Sequence, residues 1–283
     1  MNLGRDKIVA EIISRLKTVR PGEGAVKVEG TWGSFAHLLA TYISEKLGRP
    51  ILYICPHIDD ADKTADDMHA FEGKTIETLG AWEGEEDLAD ATDEIRAERL
   101  KLVSRISYLK SGSEGSKLVI PASIQALCQP IPKPHILQES CLKLQVDGQK
   151  RPEEVVEWLV DNGFEHVERI DLPGQFARRG GIVDIYAPLT VDKVLSGKEP
   201  PDTPSQNAQA IRIEFFGDTI ESIREINLDT QLSTQKIENI NIFSVVCGTT
   251  REERELFVNI LPQDCLIIFE EPTDCEEVAK LFL

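Results

Sequence analysis

The run Pro50-Ile51-Leu52-Tyr53-Ile54-Cys55 is apolar without interruption. A strand with one wet face alternates apolar and polar residues. An unbroken run therefore points to a strand buried on both faces, as in a parallel sheet covered by helices. The neighbouring sequence supplies the helices, over residues 35–47 and 59–68. An amphipathic helix over residues 5–20 carries Ile8, Val9, Ile12, Ile13 and Leu16 on one stripe and ends at Pro21-Gly22. Further strands are expected at Ala25–Val28, Thr75–Leu79 and Lys117–Ile120, the last leading into a helix over Ser123–Cys128. Cys265-Leu266-Ile267-Ile268-Phe269 reads as another buried strand, closed by Glu270-Glu271-Pro272. A final helix from Thr273 stops on Leu281-Phe282-Leu283, the expected edge of a longer protein. This alternation is an α/β, doubly wound pattern.

The pattern changes after Pro130. Arg151-Pro152-Glu153-Glu154 opens a helix, with proline in its first turn and acids at its positive end. Val155, Val156, Leu159 and Val160 give that helix an apolar face, and Gly163 ends it. Strands follow at Ile182–Tyr186, Ile211–Phe216 and Thr219–Ile226, the last two joined by a Gly217-Asp218 hairpin turn. Residues 188–209, rich in Pro, Ser, Gly, Asp and Lys, read as a mobile loop. The expected organisation is a first α/β part over 1–131, an α+β docking domain over 132–226, and a return segment over 227–283 that completes the first part.

Charge narrows the function. The 283 residues carry a net charge of −18, which disfavours a surface that binds phosphate backbones. The excess is uneven: residues 59–98 hold fifteen Asp or Glu against three Lys or Arg. Residues 169–179 hold Arg169, Arg178 and Arg179 against Asp171 alone. A basic patch on an acidic protein suits an acidic protein partner. No run of eighteen apolar residues exists, and the N-terminus lacks the apolar stretch of a signal peptide, so a cytoplasmic protein is the default expectation. None of the six cysteines is spaced as C-x-x-C, and the five histidines show no metal spacing. Cys55 and Cys265 read as small buried hydrophobes, Asp59 and Asp60 after His57 as helix caps, and Trp32 and Trp82 as core or near-core residues.

The loop Glu29-Gly30-Thr31-Trp32-Gly33-Ser34 stands where a phosphate loop would stand. A working loop reads G-x-x-x-x-G-K-[ST], with a lysine for the phosphates and a hydroxyl for magnesium. Here Gly30 and Gly33 are too close together, Ser34 replaces the lysine and Phe35 the hydroxyl. The fold expected is a degenerate P-loop, RecA-like parallel-sheet domain, with no cofactor. Phe269-Glu270-Glu271 has the form of a Walker B acid pair, but without the lysine its catalytic reading is weak.

Two blocks are more specific. One is Gly174-Gln175-Phe176-Ala177-Arg178-Arg179-Gly180-Gly181-Ile182-Val183-Asp184-Ile185-Tyr186-Ala187-Pro188. The other runs from Ile211-Arg212-Ile213-Glu214-Phe215-Phe216-Gly217-Asp218 to Arg224, followed by Asp229-Thr230-Gln231. Together they resemble the signature shared by UvrB and the N-terminal UvrB-homology module of bacterial transcription-repair coupling factors (Mfd). The missing phosphate loop, and an acidic stretch over Glu83–Lys110 where UvrB has an aromatic hairpin, point to the coupling-factor side. The resemblance implies a non-catalytic docking module that mimics UvrB and recruits UvrA to stalled RNA polymerase in nucleotide excision repair. It also implies masking by a C-terminal domain of the full-length protein, with contacts to RNA polymerase and DNA, and an ATP-dependent translocase motor, beyond residue 283.

The resemblance assigns the UvrA face to basic residues around the strand before Gly180. Arg179 matches the family's arginine at that glycine. A second family arginine falls on Ala177, where Arg178 is a substitute or a solvated loop charge. The upstream basic position falls near Glu165-His166, so Arg169 or His166 supplies it, and Phe176 lies in the same block, as core or as contact. The rival readings are a nucleotide-binding or a DNA-binding helicase-like domain. Stabilisation by nucleotide would support the first, and affinity falling steeply with salt the second.

Overall fold

The computed structural model describes residues 3–19, 24–73, 76–82, 93–108, 118–188, 190, 209–244 and 250–282. Most of the loop expected over 188–209 lies outside the described residues, as do Pro21-Gly22, Thr75, residues 83–92 of the acidic run, Lys117 and Cys247.

The helices in chain order are α1 (Lys7–Thr18), α2 (Phe35–Leu47), α3 (Ile58–Glu72), α4 (Asp93–Tyr108), α5 (Ile124–Cys128), α6 (Pro134–Glu139), α7 (Pro152–Asp161) and α8 (Pro272–Ala279). The first strands are β1 (Ile51–Cys55), β2 (Val119–Ser123), β3 (Pro130–Pro132), β4 (Cys141–Gln145), β5 (Glu165–His166), β6 (Gln175–Arg179) and β7 (Ile182–Ala187). They are followed by β8 (Gln209–Phe216), β9 (Thr219–Ile226), β10 (Ser233–Ile237), β11 (Asn239–Phe243), β12 (Arg254–Leu256) and β13 (Leu266–Phe269). The chain divides into two compact units. One comprises residues 1–81, 108–129 and 257–283, the other 82–107 and 130–256.

In the first unit β1 is the middle strand of a parallel sheet of order β13-β1-β2, with Ile51 opposite both Val119 and Leu266. All five β1 residues are buried, as the apolar run required. Val9 and Ile12 of α1, Leu39, Ala40 and Ile43 of α2, and Ala61 and Met68 of α3 form one core with β1. Asp6 caps α1 by accepting from the Ile8 and Val9 amides at 2.8 and 3.1 Å. Ser123 does the same for α5 through the Ala126 amide, at 3.1 Å.

Four expectations are corrected here. Ala25–Val28 is not a strand: it pairs with no described segment, and its residues are partly or fully exposed. Of the strand expected at Thr75–Leu79, Leu79 makes one isolated parallel bridge to Ala122. β13 is a strand but not a buried one. It lies at the sheet edge, paired with β1 only, and leaves Ile267 and Phe269 about half exposed. Asp59 and Asp60 sit in the first turn of α3 rather than at its cap, which is His57.

The second unit is built on a six-stranded sheet of order β10-β9-β8-β7-β6-β5, antiparallel except for β5 against β6. Gly217 takes φ 60° in the β8–β9 turn, a left-handed conformation that a side chain resists. Alternation along the strands sorts the two faces. Phe176, Val183, Ile185, Ile211 and Ile213 share a core with Val155 and Leu159 of α7 and with Leu142, Leu144, Ile240 and Ile242 of the antiparallel β4–β11 pair. Ala177, Ala210, Ile226 and Ile170 form a smaller cluster. Asp184, nearly buried, receives both Nε and Nη2 of Arg212, its register partner, at 2.7 and 2.8 Å. β10, β11 and β12 all belong to this unit.

Candidate functional site

The candidate residues lie on β5, β6 and the Val167–Leu172 connection. β6 pairs with β7 so that Arg179 faces Ile182 across the turn at Gly180 and Gly181. Alternation along β6 sends Phe176 and Arg178 to one side and Ala177 and Arg179 to the other. The candidates therefore divide between two faces and do not form one patch.

On the α7 side Phe176 is buried. The His166 ring lies tilted on it, centroids 5.0 Å apart. Arg178 reaches Glu153 on α7 in an ion pair and bonds the Gly180 carbonyl at 3.3 Å. Val156, Val160, His166, Phe176, Arg178 and Gly180 line an open groove of about 370 Å³. Arg178 and Glu153 compensate each other's charge there, and the Arg178 guanidinium holds the Glu153 carboxyl below its ordinary range.

On the other side Arg179 is exposed and donates to the Glu168 carbonyl at 2.9 Å, while exposed Arg169 donates to the Leu228 carbonyl at 3.1 Å. Both side chains are oriented by backbone oxygens, and among the described residues neither has a carboxylate partner. Their charges are thus held in place with no carboxylate against them among the described residues. Such a pair can take a carboxylate through charge-assisted bonds.

The Gly30–Ser34 loop is built differently from a working phosphate loop. Gly30 and Gly33 take φ 78° and 52°, and Trp32 between them is 85% exposed, which corrects the core expectation for this residue. A loop turned by two left-handed glycines carries Trp32 away from the core. Trp82 is buried as expected, its ring 4.9 Å beneath the Arg99 guanidinium. Phe35 begins α2, and Ser34 makes no capping bond to that helix.

Behind this loop, at the ends of β1 and β13, is a group that sequence spacing did not reveal. His37 of α2 sits 2.8 Å from Asp67 of α3 and 3.5 Å from Glu270. Thr64 and Cys55 join the same network. These residues are scattered over more than two hundred positions, so no local motif could mark them. Cys55 is buried as expected, and burial pushes its thiol up to about 12. Cys265 is only partly buried, its thiol pushed up to about 11 by the same cause. Among the described residues no group of three or more His, Cys, Asp or Glu could hold a metal ion, and no helix is long and apolar enough to cross a membrane.

The family model described as the UvrB interaction domain matches residues 142–196 and 202–246, which include the six-stranded sheet and α7. The transcription-repair-coupling factor of Bacillus subtilis (strain 168) is 28% identical over 215 residues, 75% of this chain and 16% of that protein. That of Escherichia coli (strain K12) is 25% identical over 228 residues, 79% of this chain and 18% of that protein. The UvrABC system protein B of Thermotoga neapolitana is 26% identical over 150 residues, 53% of this chain and 20% of that protein. The chain thus spans less than a fifth of the length of these two coupling factors. The second unit thus carries a match to the UvrB interaction domain, and about three quarters of the chain is similar to bacterial transcription-repair-coupling factors.

Proposed function

We propose that this chain is a non-catalytic docking module that mimics UvrB and recruits UvrA to stalled RNA polymerase in nucleotide excision repair, in the cytoplasm. The observation that carries the reading is that Arg179 and Arg169 are exposed and, among the described residues, held by backbone carbonyls and not by carboxylates, within the segment that the UvrB interaction domain matches. Arginine is enriched at binding hot spots, and two oriented guanidinium groups suit an acidic face. Arg178 and His166 flank a different face, and buried Phe176 supports the strand from below. We assign contact to Arg179 and Arg169, and a supporting role to the other three. The first unit is read as a degenerate RecA-like domain interrupted by the docking domain. Contacts with a C-terminal domain, RNA polymerase and DNA, and the ATP-dependent translocase, are assigned to parts of the parent protein beyond residue 283.

Calorimetric titration of UvrA into the chain tests this. Arg179→Ala is expected to cost about 2 kcal/mol or more of binding free energy, roughly thirtyfold in affinity. Arg178→Ala, on the opposite face, should leave affinity within about threefold. Equal loss in both variants would sink the assignment of the face, and absence of binding by the unsubstituted chain would sink the function.

A further inference from the structure

His37 is 4% exposed, and two carboxylates face its ring nitrogens. Nδ1 lies 2.8 Å from Oδ2 of Asp67. Nε2 lies 3.2 Å from Oγ1 of Thr64 and 3.5 Å from Oε1 of Glu270. The Thr64 hydroxyl also lies 2.7 Å from the Asp60 carbonyl, which competes with Nε2 for its single proton. A neutral imidazole carries one proton and would turn a bare nitrogen lone pair toward one of the two carboxylates. An imidazolium satisfies both sides.

The three charged groups come from segments far apart in the chain: α2, α3 and the end of β13. We propose that His37 is held as an imidazolium between Asp67 and Glu270, an internal cation that latches the β13–α8 segment onto α2 and α3, and that the latch loosens when the ring loses its proton. The Glu270 carboxylate, which by sequence has the form of half a Walker B acid pair, lies against a cation of the chain itself.

The surroundings fit. From β1, Tyr53 packs edge-on against the imidazole at 5.5 Å, and the Cys55 thiol donates to Glu270 at 3.7 Å. Burial pushes the Tyr53 hydroxyl and the Cys55 thiol up, so both stay neutral. From α3 come Asp60, Lys63, Thr64 and Asp67, and from the loop before α2 comes Ser34, bonded to Asp67. From α8, Cys275 donates to the Glu270 carbonyl at 3.1 Å, with Asp274 and Glu271 nearby. Burial alone would lower the His37 pKa; bonds to Glu270 and Asp67 outweigh it and raise the value above its ordinary 6.5. The same imidazole lowers the Glu270 pKa. A histidine raised in the folded state contributes stability that is fully present below its unfolded pKa. That contribution is lost as pH rises through the folded value.

The test uses the full chain. Imidazole resonances are followed by NMR from about pH 5 to about pH 9, with His37→Gln identifying the resonance. His37 is expected to remain doubly protonated above the ordinary histidine pKa of about 6.5, and Glu270→Gln to lower its midpoint. Hydrogen exchange, corrected for intrinsic rates, should quicken over 266–279 relative to 209–226 as pH rises. The quickening should be about tenfold for each unit by which the folded pKa exceeds the unfolded one. His37→Gln should abolish that pH dependence. Should either variant fail to fold, the titration and exchange of the unsubstituted chain decide alone. A His37 midpoint at or below about 6.5, or a 266–279 segment whose relative protection does not change with pH, would overturn the latch.

Discussion

Whether a charged residue is available depends on what already holds it. Arg178 and Arg179 are neighbours in sequence, yet among the described residues one is tied to Glu153 and the other to a carbonyl. The sequence names the arginines; the pleat assigns them to faces. Asp184 and Arg212 are the opposite case, a charged pair drawn into the sheet. The Asp184 side chain is 5% exposed, and it meets Arg212 in a two-point contact. Arg212→Leu should cost about 3 kcal/mol in urea unfolding, because it leaves a buried carboxylate unpaired. Adding Asp184→Leu should recover much of that loss. A single variant as stable as the original chain would mean the pair carries no structural weight.

Among the elements, the legible ones were those whose periodicity and burial agree. β1 announced itself because both its faces are covered, and α7 because Val155 and Leu159 repeat at helical spacing beneath a proline start. Leu159 is fully buried between α7 and the sheet. Leu159→Ala is expected to destabilise the second unit by about 2–5 kcal/mol, read from its thermal or denaturant unfolding. A loss below about 1 kcal/mol would imply that the helix is only loosely seated. The elements misread were those whose state depends on a partner. Ala25–Val28 has a short apolar alternation but no strand beside it. β13 is as apolar as β1 but lies at the edge, so its outward residues are exposed. Apolarity specifies that a run can be a strand; only pairing decides whether it is central.

On the scale of the whole molecule, charge sets the terms of association. A net charge of −18 disfavours nucleic-acid binding by the chain. By fluorescence anisotropy at low salt, its affinity for duplex DNA should be weaker than the 10⁻⁴–10⁻⁶ M usual for non-specific binding at physiological salt, roughly. A tighter, steeply salt-dependent complex would revive the DNA-binding reading. Two cores are present, one around β1 and one under the six-stranded sheet, and the proposed docking pair and the proposed latch belong to different units. A variant of one is expected to leave the other's readout unchanged.

The sequence by itself determined the parallel-sheet core, the helix–hairpin order of the second unit, the absence of a lysine after Gly33 and the identity of the arginines. Each of these is written in neighbouring residues, as a period, a turn or a missing lysine. Tertiary structure alone decided that Arg178 meets Glu153 while Arg179 meets the Glu168 carbonyl, that Trp32 faces solvent, and that His37, Asp67 and Glu270 meet. Those outcomes depend on strand pairing and on contacts between distant segments. A sheet assigns its faces only after it is paired, and a network of residues 37, 67 and 270 exists only once the chain has returned to close the first unit.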